Sequence, residues 1–95
     1  MIQQTTLQAY NQYRNTFETQ CELIKNIIFT YQPISDAEIQ RRLIIEYGMY
    51  LPRSTVSGRR NDLKKQGINI VVLDKVKDYN TNTTVNAWGV YQHNG

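Results

Sequence analysis

A second cysteine is missing from this chain, so Cys21 has no partner for an internal disulfide. Unpaired cysteine suits a reducing, intracellular compartment. Histidine is scarce too: His93, near the C-terminus, is the single copy. One Cys and one His provide neither a metal-ligand set nor a nucleophile–base pair. No Gly-rich phosphate loop is visible, and the 8 carboxylates are scattered or sit at helix starts. These absences predict a protein that is not an enzyme and takes no cofactor or metal. No apolar run nears the roughly 18 residues of a membrane span. The opening Met1-Ile-Gln-Gln-Thr-Thr6 lacks the basic and apolar regions of a secretory signal. The expectation is a cytoplasmic protein with no membrane partner.

What the chain does have is clustered positive charge. Residues 1–52 hold four Lys/Arg against five Asp/Glu. Residues 53–77 hold seven (Arg53, Arg59, Arg60, Lys64, Lys65, Lys75 and Lys77) against Asp62 and Asp74. Charge gathered on one segment is the electrostatic footprint of a nucleic-acid binder, although a solvated basic face looks the same from composition alone. At 95 residues and 40% apolar, residues 1–95 make one domain around one core.

Local signals lay out the elements. Leu7, Tyr10, Phe17, Cys21, Ile24, Ile28 and Tyr31 recur at helical spacing and form one apolar stripe. Asn15-Thr-Phe-Glu18 has the form of a capping box, with Asn15 as N-cap. It divides the stripe into a lead-in helix near 5–13, within a lead-in segment 1–15, and a main helix from 16 to about 31; one continuous helix is the alternative. Pro33 closes this segment. Ser35 and Glu38 form a second box, stapled by Ile34 and Ile39. In that helix Ile39, Leu43 and Ile44 are the expected buried stripe, with Arg41 and Arg42 outside and Gly48 as the left-handed stop. Pro52 suits a first helical turn, and the third helix runs from about 53 to 66, ended by Gly67. The β-branched run Ile68–Lys77 and the segment Thr84–Tyr91 read as two strands about a polar turn, with 92–95 as a frayed tail. The fold class is α+β.

The third helix has a narrow apolar seam. With Val56 at the centre of its buried face, Leu63 lies about 20° away and Arg60 about 40° away. Ser54, Ser57, Gly58, Asn61 and Lys65 fall on the far side, where they are candidates for base edges and nearby phosphates. Gly58 would leave room for close approach to a groove. Arg53 at the helix start, Arg59 on the flank and Lys64 are candidates for phosphate. Lys75 and Lys77 alternate along the first strand and flank a turn that could enter the minor groove or lie along the backbone, unless they only guard against edge pairing. Arg60 points to the core edge, with Glu38 or Glu46 as expected partner, and Trp88 is expected in the core beside Val90. Cys21 lies on the buried stripe.

Helix, helix, turn, helix and hairpin, in that order, resembles a winged helix-turn-helix domain. Ile34-Ser-Asp-Ala-Glu-Ile39 resembles the start of the second helix in such regulators. Ser54–Ile68 resembles their recognition helix and its exit, and Thr83–Trp88 the second wing strand. More narrowly, across roughly residues 9–91 the chain is similar to small winged-helix proteins of phages and prophages, which also carry an Ala-Tyr-containing lead-in helix and an Arg-Arg-Asn-Asp/Glu-Leu core. The resemblance implies a three-helix core with a C-terminal β-hairpin wing and a lead-in helix. It implies sequence-specific binding of double-stranded DNA in transcription or replication control, within the host cytoplasm if phage-encoded. A homodimer through Tyr10, Tyr13 and Phe17 would bring enough base contacts together. The alternative is a winged-helix module that binds or inhibits a host or phage protein without touching DNA.

Overall fold

The first helix, α1 (Phe17–Tyr31), begins where Thr16 leaves helical geometry and its hydroxyl accepts the Thr19 N–H at 3.3 Å. The cap is therefore Thr16 and not Asn15, whose side chain accepts instead from Gln20. Glu18 stands in the first turn, at the positive end of the helix dipole. In the computed structural model, residues 14–78 and 80–91 are described. The expected lead-in helix near 5–13, Tyr10, Tyr13 and the tail at 92–95 lie outside them.

α1 is the central element, packed against both other helices and the hairpin. It consequently buries more than one stripe: Leu23 and Ile27 join Cys21, Ile24 and Ile28. Phe17, expected on the buried stripe, sits at the exposed start of the helix. Beyond a cis Gln32–Pro33 bond, Ile34 exchanges two backbone hydrogen bonds with Trp88, at 2.9 and 2.7 Å.

α2 (Asp36–Tyr47) is capped by the Ser35 hydroxyl, which accepts the Glu38 N–H at 3.2 Å. Ile34 and Ile39 are both buried, as a staple requires. Gly48 ends the helix at φ 63°, where a residue with a Cβ would be strained. Ile44, however, is 47% exposed. The turn folds back through the Gln40 side chain, which donates to the Leu51 carbonyl at 2.8 Å, so Met49 and Leu51 complete the core instead.

α3 (Arg53–Lys65) follows Pro52 and buries Val56, Arg60 and Leu63. Two antiparallel strands, β1 (Ile70–Asp78) and β2 (Thr83–Val90), pair from Ile70 opposite Val90 to Asp78 opposite Thr83. A bulge between Val72 and Asp74 interrupts the ladder. β1 starts two residues later than Ile68 because the Ile68 N–H is still bonded to the Leu63 carbonyl at 3.1 Å. Ile70, Trp88 and Val90 join the hairpin to the helical core. Three helices followed by an antiparallel hairpin form an α+β arrangement compatible with a winged-helix layout. Among the described residues, no helix is long and apolar enough to cross a membrane.

Candidate nucleic-acid interface

One outward face of α3 is chemically open. Ser54, Asn61, Lys64 and Lys65 are exposed, and nothing lies within 4 Å of where a Cβ on Gly58 would stand. The two lysines end the helix, where cations meet the negative pole of its dipole. Neither forms an ion pair with a described residue, and the same holds for Lys75 and Lys77 on the wing. The register sets Lys75 opposite Asn86 and Lys77 opposite Thr84. The wing tip beyond them is polar and uncharged, with Asn82 in the left-handed region at φ 56°.

The other expected contacts are engaged inside the molecule. Ser57 is half-buried and donates to Asp36 Oδ2 at 2.7 Å, because the start of α2 crosses α3 there. Arg59 donates to Gln20 at 2.8 Å, pairs with Asp62 and lies over the Phe17 ring, 4.6 Å from its centroid. On α2, Arg41 pairs with Glu38 at 3.2 Å. Arg42 lies between Glu38 and Glu46, above the Tyr31 ring. Its Nε sits 3.3 Å from Glu38, near enough for an ion pair but not aligned for a hydrogen bond.

Arg60 is the anchor of this region. It is only 7% exposed and grips Asp36 with two parallel bonds, both 2.9 Å. Its guanidinium lies 3.7 Å from the centroid of Trp88, which is partly buried against the core. Sequence reasoning placed Glu38 or Glu46 opposite Arg60. Glu38 is drawn to Arg41 and Arg42, and Glu46 accepts from the Tyr31 phenol as well as Arg42. Asp36 was legible only as a first-turn acid; its pairing depends on how α2 and α3 cross. Arg60 also reaches Asn61 Oδ1 at 3.4 Å, a long contact that leaves the amide N–H groups free.

A second carboxylate went unread. Asp78, taken from sequence as a turn residue, is buried at the base of the wing. It accepts the Asn80 N–H at 3.0 Å and lies 3.3 Å from Arg53 Nη1. The Asn80 N–H, aided by the Arg53 charge and opposed by burial, holds its carboxyl below the usual range. Arg53 itself stays 43% exposed at the side chain.

Cys21 is buried, and burial, together with the nearby Asp62 charge, raises its thiol above the ordinary value. That favours the unreactive thiol over the thiolate. Among the described residues, no three His, Cys, Asp or Glu side chains come together as a metal set. The open chemistry of the surface is therefore hydrogen-bond donors and unpaired cations on α3 and the wing. No protein-family model, curated protein or solved structure matches the chain.

Proposed function

We propose that this protein is a winged helix-turn-helix DNA-binding protein, a small phage-type regulator of transcription or replication acting in the cytoplasm. α3 lies in the major groove and the wing runs along the adjacent backbone. One observation carries the reading: Ser54, Gly58, Asn61 and Lys65 share an outward face of α3 that has little duty within the fold, with Lys64 exposed on its flank. Base edges are read by donors and acceptors such as Asn and Ser, and phosphates are held by Lys. One small domain offers few base contacts, so tight binding calls for a homodimer on a two-fold site.

The competing reading is a protein-interaction module. The uncharged wing tip favours it, as do the exposed Ile44 and Tyr50 beside the turn. Titration of random duplex DNA across a salt series separates the two. A DNA binder loses affinity linearly in log salt, with a slope near −0.9 per neutralised phosphate. Absence of binding at low salt would move the assignment to the protein module. Within the DNA reading, Asn61→Ala costs about 1–3 kcal/mol on a selected site and little on random DNA. Lys65→Ala weakens both alike. An unchanged ratio of specific to random binding in Asn61→Ala would remove Asn61 as a reader of sequence.

A further inference from the structure

A buried carboxylate beside a surface meant for a polyanion needs an explanation. Asp78 stands at the base of the wing with its side chain 4% exposed, and a bare negative charge there would repel phosphate. Its geometry suggests a purpose. Asp78 takes Nη1 of Arg53, the first residue of α3, and the Asn80 N–H of the wing turn. It thus ties the recognition-helix start to the wing.

Arg53 is then a half-exposed arginine with one corner of its guanidinium fixed. Five N–H donors sit on that planar group, so donors remain for a second anion after Asp78 has its share. Arg53 lines a cleft of about 400 Å³ between α2, the turn and the wing base. Lys77 and Arg41 line the same cleft from two other elements. Arg41 already answers Glu38, whereas Lys77 has no ion-pair partner among the described residues. A pinned arginine gives up less freedom when a ligand arrives than one that samples many rotamers.

We propose that Asp78 is a positioning residue that holds Arg53 in this cleft, so that Arg53 and Lys77 together take one phosphate of the DNA backbone. The proposal rests on the DNA-binding reading above and deepens it. It makes a counter-intuitive claim about sign. Coulomb repulsion alone says that deleting the Asp78 charge tightens DNA binding. Positioning says that the deletion weakens it.

The test is fluorescence anisotropy of a labelled random-sequence DNA duplex over a salt series. The proteins are wild type, Asp78→Asn, Arg53→Ala, Arg53→Lys and the double variant Arg53→Ala/Asp78→Asn. Asn at 78 keeps an oxygen for the Asn80 N–H, and thermal melting with an amide NMR spectrum confirms that each variant is folded. Asp78→Asn is expected to lose roughly tenfold in affinity and about 0.9 in salt slope, as one phosphate contact is lost. Arg53→Ala loses a similar amount, and adding Asp78→Asn to it costs nothing further. Arg53→Lys keeps the charge but not the fork, and also binds more weakly. Binding by Asp78→Asn that equals or exceeds wild type overturns the proposal. So does an equal loss with and without Arg53, or an Arg53→Lys variant that binds like wild type. Absence of binding by wild type at low salt overturns the DNA reading itself, and this proposal with it.

Discussion

Removing Asp36 tests whether an ion pair fastens α3 to its neighbour α2. Asp36→Ala leaves the Arg60 guanidinium between α2, α3 and Trp88 with its two 2.9 Å bonds gone. It also strips Ser57 of its acceptor. Breaking a buried pair by deleting one partner costs about 3–5 kcal/mol. The Asp36 side chain is 21% exposed, so water reaches part of the site and the lower end, about 3 kcal/mol, is expected. That is a large share of the roughly 5–15 kcal/mol that holds a small domain together. It lowers the melting temperature by on the order of 15 °C. Urea unfolding followed by far-UV circular dichroism gives the free energy, and calorimetry gives the midpoint. The double variant Asp36→Ala/Arg60→Met should recover most of the loss, because methionine lays an apolar stem along Trp88 and leaves no orphaned charge. A single-variant loss below about 1 kcal/mol, or a double variant no better than the single one, would refute the idea that this pair fixes α3.

Gly58→Ala has open space for its methyl group and should stabilise the helix by about 0.5–1 kcal/mol. If α3 enters a groove, the same change weakens DNA binding, and a stabler variant with unchanged affinity would place that face outside the interface. Val56→Ala should cost about 1–3 kcal/mol in urea unfolding, since Val56 is fully buried at the centre of the α3 seam. Stability should depend on pH at both ends. The Asp78 carboxyl is depressed, so its contribution is complete above the ordinary aspartate value of about 3.9 and fades as pH falls through the lower folded value. The Tyr31 phenol is raised, chiefly by its hydrogen bond to Glu46, so its contribution is complete below about 10 and is lost as pH rises through the folded value. Asp78→Asn and Tyr31→Phe should flatten the acid and alkaline limbs respectively, as read by urea midpoints against pH.

The features legible in the sequence are those that depend on near neighbours. Ser35 capping Glu38, Gly48 in the left-handed region and the Val56–Leu63 seam all act within a turn or two of the chain. The strands announced themselves by β-branched residues about a polar turn. What escaped was decided by how elements cross. Arg60 finds Asp36 and Arg53 finds Asp78 across 24 and 25 positions, and no local pattern marks either partner. Ile34 looked like a staple and is also a strand partner for Trp88. Ile44 had the right spacing for burial but lost its place to Met49 and Leu51, which return from the turn. On α3 the helical wheel separated the buried Val56 and Leu63 from the exposed Ser54, Asn61 and Lys65. Ser57 was misplaced because a wheel shows one helix and not the α2 terminus lying against it.

Outside α1, where Lys25 pairs with Glu22, the two kinds of cation differ in their partners. Every arginine on α2 and α3 (Arg41, Arg42, Arg53, Arg59 and Arg60) is joined to a carboxylate. The ammonium groups of Lys64, Lys65, Lys75 and Lys77 form no ion pair with a described carboxylate. Amine chemistry can therefore be separated from architecture. An acylating reagent that modifies Lys64, Lys65, Lys75 and Lys77 would erase most of the unspent surface charge and leave the guanidinium fasteners untouched. Charge-driven association could then be weakened in the folded protein without altering a single codon, leaving Arg53 as the cation still open to an anion.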